Sequence, residues 1–121
     1  MPLATSETEL VLLHNPRCSK SRAAHALLDE KGAAFTVRAY LDEPLSRSEL
    51  DELGACLGKP ATEWVRNKED AYAAAGLGAD ADEAAIKDAM TAAPILIERP
   101  ILVRGKRAIV GRPPEDILEL L

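Results

Sequence analysis

The feature that most restricts the fold is the order of hydrophobic periods at the start of the chain. "ELVLLH" (9–14) is a short apolar run rich in strand formers, and it ends at the turn signal "NPR". "SKSRAAHALLDEKG" follows, with Ala23, Ala24, Leu27 and Leu28 at helical spacing and Gly32 as its stop. "FTVRAY" (35–40) alternates with period two and reads as a second strand. Strand, helix and strand in about 30 residues form a βαβ unit. Such a unit implies a parallel pair with a right-handed crossover, since only that hand packs the helix back onto a twisted sheet.

The middle of the chain reads as helical. "PLSRSELDELGACLG" opens on a proline, with Ser46 or Ser48 as N-cap; Glu49, three places after Ser46, supports the former through a capping box. Short helices are expected at "ATEWVRN", "EDAYAAAG" and "DEAAIKDAMTAA", and Pro94 closes the helical block. "PILVRGKRAIVGR" predicts a hairpin turning at Arg104, Gly105 and Lys106. "PPEDILELL" predicts an amphipathic helix with proline in its first turn, where a missing N–H costs nothing. The order is β-α-β, a helical block, then β-β-α. No repeat, linker or low-complexity tract divides it, so residues 1–121 are expected to form a single α/β domain.

Composition narrows the chemistry. Aromatics make up 3% of a chain that is 47% hydrophobic, so aliphatic side chains must build the core. No apolar stretch approaches the roughly 20 residues needed to cross a bilayer, and "MPLATSETEL" is polar and acidic rather than leader-like. A cytoplasmic protein without a membrane partner is expected. The net charge of -5 argues against general nucleic-acid affinity. Two cysteines without a secretory leader do not suggest a structural disulfide. Without paired C-x-x-C, and with His14 and His25 at no ligand spacing, no metal is expected.

"HNPRCSKSR" (14–22) carries the chemistry. Cys18 falls between a strand end and a helix start, where unpaired N–H groups and the helix dipole favour thiolate over thiol. Arg17, Lys20, Arg22 and His14 add positive potential. A cysteine in this setting is nucleophilic at neutral pH, and the same donors suit an oxyanion. The alternative is an inert residue in a tight turn; strand-turn-helix placement and the basic flank weigh against it. Spacing excludes two reaction classes. A C-x5-R phosphatase loop would need arginine where Ala24 stands, and a C-x-x-C dithiol would need cysteine at Ser21. What remains is a single-thiol centre whose sulfur adduct another molecule must resolve. Cys56, on the apolar side of its helix, reads as a small buried hydrophobe rather than an internal resolving thiol.

"HNPRCSKSR", "YLDEPLS", "VRNKEDAY", "ERPILV" and "GRPPEDIL", in that order, resemble the glutaredoxin-linked arsenate reductase (ArsC) family over about residues 9–121. The resemblance implies a thioredoxin-like fold: a four-stranded mixed sheet with flanking helices, its last strand antiparallel. A helical insert, about 45–93, would separate strands 2 and 3. By position, Cys18 would be the catalytic cysteine and Arg66, Arg99 and Arg112 the anion-binding arginines. Planar bidentate donors of this kind suit an arsenate dianion. Each arginine also has a plainer role, as a solvated helix residue (Arg66), a charge before a strand (Arg99) or a helix N-terminal residue (Arg112). Cation placement at a helix N-terminus is unfavourable, which favours a functional reading of Arg112.

His14 matches the family's histidine at the end of the first strand, where the resemblance implies that it helps tune the cysteine; a packed histidine is the alternative. Asn15, Ser21 and Arg22 are expected to support the Cys18 site with it. Pro100 aligns with the proline that thioredoxin-like folds hold in cis beside the sulfur. The resemblance further implies arsenate as substrate, no bound cofactor, glutathione as co-substrate and glutaredoxin as partner. Two rivals share the motifs: a glutathione-dependent thiol reductase acting on another substrate, and a Spx-like regulator that binds RNA polymerase. The regulators typically carry C-x-x-C where this chain has Cys18 and Ser21.

Overall fold

A computed structural model of the chain describes residues 8–121. Strand β1 (Leu10–Leu13) leads through the Cys18 loop into α1 (Ser19–Glu30) and then β2 (Phe35–Arg38). The insert contains α2 (Arg47–Leu57), α3 (Asp70–Ala74) and α4 (Glu83–Ala92), with 3-10 turns at Ala61–Glu63 and Pro94–Leu96. The hairpin of β3 (Ile101–Arg104) and β4 (Arg107–Val110) follows, and a 3-10 helix (Pro114–Leu120) closes the chain. The sheet order is β2-β1-β3-β4. β1 and β2 are parallel, as the βαβ reading requires; β3 runs against β1, and β4 against β3. The result is the expected four-stranded mixed sheet.

Period two decides which side of the sheet each residue serves. Val11, Leu13, Ile101 and Val103 face the insert and pack with Leu50, Leu53, Trp64, Ile86 and Met90. Leu10, Leu12 and Leu102 face the other way, onto Ala24 and Leu28 of α1 and Ile117 and Leu120 of the terminal 3-10 helix. The two central strands are therefore buried on both faces, which is why "LVLL" and "ILV" are continuous apolar runs. Trp64 is fully buried, and its indole N–H donates to the Lys59 carbonyl at 3.1 Å. Burial of such a side chain stabilises by about 2–3 kcal/mol.

Local signals explain most element ends. Ser46 caps α2: its Oγ accepts the Glu49 N–H at 3.2 Å, and Glu49 Oε1 accepts the Ser46 N–H at 3.0 Å. Gly58 ends α2 in the left-handed region at φ 67°, where a side chain would be strained. Asp82 caps α4 by accepting the Ala85 N–H at 2.8 Å.

Three expectations require correction. "ATEWVRN" holds a single 3-10 turn, because Val65 bridges antiparallel to Ile97 and pulls the following backbone into extended pairing. The C-terminal segment is 3-10 rather than α, a tight wind that points Ile117 and Leu120 at the sheet. On α1, the buried face is Ser21, Ala24 and Leu28, whereas Ala23 is exposed and Leu27 half-buried. A serine replaces an aliphatic residue on that face because the loop before the helix requires its oxygen.

Candidate active site

Cys18 is the N-cap of α1, with extended backbone (φ -101°, ψ 124°). The loop before it is closed by hydrogen bonds from the Cys18 N–H to the Asn15 carbonyl (3.0 Å) and from the Arg17 N–H to Asn15 Oδ1 (3.0 Å). Asn15 is buried, so its short side chain serves the turn rather than solvent. Ser21, also buried, receives the Asn15 N–H on Oγ at 3.0 Å and stands 2.7 Å from His14 Nδ1. Burial, His25 and Arg22 together hold the His14 pKa below the ordinary histidine value. A neutral ring accepting at Nδ1 lets the Ser21 hydroxyl donate to it while receiving the Asn15 N–H, and all three groups are then satisfied. Ser21 thus clamps the end of β1 to the first turn of α1.

The sulfur is only partly buried. Desolvation pushes its pKa up, but the Ser21 N–H, the Arg99 guanidinium and the Lys20 N–H outweigh it, and the thiol lies below the ordinary cysteine value. Arg17, Lys20 and Arg22 are exposed, and Arg22 spends its Nη1 on the Pro16 carbonyl at 2.8 Å. The helix terminus and one distant arginine therefore do what a linear reading assigns to the basic flank.

The three arginines arrive from different segments. Arg99 precedes Pro100 across a cis peptide bond, and its Nε and Nη1 are buried with no hydrogen-bond partner among the described residues. Arg66 is set by the short pairing in which its N–H donates to the Leu96 carbonyl (2.7 Å) and the Glu98 N–H donates to the Trp64 carbonyl (2.9 Å). Arg112 follows β4, ahead of a second cis bond at Pro113, and its Nε donates to the Arg99 carbonyl at 3.0 Å. Arg66 and Arg112 line one pocket of about 320 Å³ with Glu69 and Glu98. Arg99 is the guanidinium that supports the Cys18 thiolate, by hydrogen bond and by charge.

Two further residues of the site carry no mark in the sequence. Glu98 accepts the Arg99 N–H and pairs with Arg112 Nη2, both at 3.0 Å, with Arg66 Nε 4.0 Å away. Tyr40 is fully buried beside Arg99, Cys18 and Glu98, with the Asn15 side chain near its hydroxyl; that hydroxyl has no well-formed hydrogen bond among the described residues, and burial pushes its pKa up to about 12. Alternation in "FTVRAY" predicts a strand through Tyr40, but β2 ends at Arg38 and Tyr40 stands in the turn that follows. Only the fold reveals its neighbours.

Other candidates lie apart from this cluster. His25 pairs with Asp29 at 3.2 Å and packs edge-on against Phe35. Cys56 is half-buried on α2, and burial with nearby Glu52 raises its pKa, as for an unreactive thiol. Among the described residues, no group of three or more histidine, cysteine or acidic side chains is arranged to hold a metal. Nor is any helix there long and apolar enough to cross a membrane.

The model of the ArsC family matches residues 13–120. The chain belongs to the ArsC family. Its relatives include a protein of Neisseria meningitidis named arsenate reductase, 44% identical over 115 residues and covering 93% of this chain and 98% of the relative. An Escherichia coli K12 member, the uncharacterised protein YfgD, is 42% identical and covers 93% of this chain and 97% of its own length. Among solved ArsC-like structures, the arsenate reductase of Vibrio cholerae superposes with a TM-score of 0.89 at 41% identity, covering 96% of this chain and all of that one. The family's thioredoxin-like fold accounts for the placement of Cys18 and of cis-Pro100 at the same end of the sheet.

Proposed function

We propose that this protein is an arsenate reductase that works through a single cysteine thiolate, with glutathione and glutaredoxin as external reductants. One observation carries the reading. Cys18 sits at a helix N-terminus facing Arg99, whose buried Nε and Nη1 donors have no partner among the described residues. Buried donors without partners are costly, and an oxyanion at the sulfur would satisfy them. Membership of the ArsC family and the names of the relatives support arsenate as that oxyanion.

In the proposed sequence, the Cys18 thiolate attacks arsenic, and an arsenate oxygen leaves as water after taking up protons. Helix N–H groups and Arg99 stabilise the charge on the remaining oxygens. The thiolate of glutathione then attacks the Cys18 sulfur. The sulfur–arsenic bond breaks, its electron pair goes to arsenic, and arsenite departs at the +3 level. Cys18 is left in a mixed disulfide with glutathione, which glutaredoxin removes by thiol–disulfide exchange. Ser21 offers no second thiol, and Cys56 has a raised pKa, so the route through external thiols is favoured. The same absence of C-x-x-C leaves the polymerase-binding reading without its redox switch.

A coupled assay following NADPH oxidation with arsenate, glutathione, glutaredoxin and its reductase tests the reading. Arsenate-dependent turnover that vanishes in Cys18→Ser is expected. Absence of arsenate turnover, alongside activity on a glutathionylated or other disulfide substrate, would transfer the assignment to a thiol reductase.

A further inference from the structure

The three arginines are not equally available to a ligand. Arg112 places Nη2 3.0 Å from Glu98 Oε1 and commits its Nε to the Arg99 carbonyl. Arg66 places Nη2 2.9 Å from Glu69 Oε2, with its Nε 4.0 Å from the same Glu98 oxygen. Of the three arginines, Arg99 is the one whose buried donors have no partner among the described residues. Glu98 is held in place from behind: its Oε1 receives the Arg99 N–H at 3.0 Å, and the side chain is 23% exposed. A carboxylate offers guanidinium groups the charge and planar acceptor geometry that an oxyanion would offer.

We propose that Glu98 is a built-in counter-anion that determines which oxyanions the site accepts. This rests on the reading of the Cys18 pocket as an oxyanion site and deepens it. With Glu98 in place, an incoming anion meets Arg99 and the α1 terminus directly. It gains the Arg112 Nη2 donor only by displacing the Glu98 carboxylate, and the Arg66 Nη2 donor only by displacing Glu69 as well. Tetrahedral dianions bear the full repulsion of that carboxylate, whereas singly charged oxyanions bear about half of it. Glu98 therefore weakens dianion binding and narrows the site toward ligands that react covalently with Cys18. Glu98 acts here as a specificity residue; Cys18 remains the reacting group.

The test reads occupancy without turnover: protection of Cys18 from iodoacetamide by inorganic sulfate, phosphate or arsenate. Glu98→Gln removes the charge but keeps a side-chain carbonyl for the Arg99 N–H. The concentration of sulfate giving half-protection is expected to fall about tenfold, the size of one charge-assisted contact released. Glu98→Asp, which retains the charge, is expected to stay within about threefold of wild type. In turnover, Glu98→Gln should lower KM for arsenate with little change in kcat, a split that mere destabilisation would not produce. Unchanged or weaker protection in Glu98→Gln, with an unaltered thermal melt, would overturn the proposal. Should that variant fail to fold, Glu98→Ala is read the same way. If wild type reduces no arsenate while Glu98→Gln gains protection, the reductase reading falls and the counter-anion stands. If arsenate is reduced but Glu98→Gln gains no protection, the counter-anion falls and the reductase reading stands.

Discussion

At the scale of single residues, the decisive balance is at the Cys18 sulfur. Partial burial works against the thiolate, while two N–H groups of α1 and the Arg99 guanidinium work for it and prevail. Alkylation of Cys18 by iodoacetamide should therefore titrate with a midpoint below that of free cysteine. Arg99→Gln should move the midpoint upward and slow alkylation at neutral pH, since it removes one of the two kinds of support. An unmoved profile would mean that the helix terminus alone sustains the thiolate. The placement is legible in the sequence: a cysteine at a strand-to-helix junction, with serine three places on, is what the proposed monothiol mechanism starts from. The cause of activation is not. Arg17, Lys20 and Arg22 look like the electrostatic support when the chain is read linearly, yet all three are exposed to solvent. Arg99, far along the chain, is brought to the sulfur by pairing of β1 with β3.

At the scale of elements, α2 illustrates a signal that local sequence fully specifies. Ser46 and Glu49 form the capping box expected from their spacing, and Arg38 at the end of β2 adds bonds of 3.0 and 3.2 Å to the two Glu49 oxygens. Partial burial pushes the Glu49 carboxyl up, but Arg38 and Ser46 hold it below the ordinary range. Glu49→Ala should destabilise the fold by about 1–3 kcal/mol, since it removes a cap and a largely buried charge pair. Because the folded carboxyl is the stronger acid, its contribution is complete above the unfolded value of about 4.3. It is lost as pH falls through the lower, folded value. Thermal melts of wild type and variant should therefore converge in acid, with convergence starting near that unfolded value. The segments that depart from expectation, at Trp64 to Asn67 and at the C-terminus, are short, and tertiary pairing sets their shape, which no local period encodes.

At the scale of the whole molecule, the proposed site is an assembly of loops held by the sheet. Cys18 follows β1, Arg66 comes from the insert, Arg99 precedes β3, and Arg112 follows β4. Gly111 joins two of these segments: its N–H donates to the Pro100 carbonyl at 2.7 Å. A Cβ there would stand 2.8 Å from Ile117 Cγ2 and 2.9 Å from Pro100 Cγ. Gly111→Ala should cost about 1–3 kcal/mol by overpacking and lower Tm by several degrees. It should also reduce turnover more than Glu49→Ala does, because Arg99 and Arg112 shift with it. Equal turnover in the two variants at matched folded fraction would count against this coupling. The order of elements makes the scaffold readable from hydrophobic periods, and motif order suggests which arginines are functional. Glu98 and Tyr40 stay hidden because an acid beside an arginine and a phenol just past a strand have common structural roles; only their neighbours in space mark them.

The monothiol mechanism is tested most directly by a single turnover with arsenate and glutathione, without glutaredoxin, in which both products are counted. Arsenite and a Cys18–glutathione mixed disulfide are expected in equal amounts, and neither from Cys18→Ser. Arsenite formed without modification of Cys18, or formed equally well by Cys18→Ser, would contradict the mechanism.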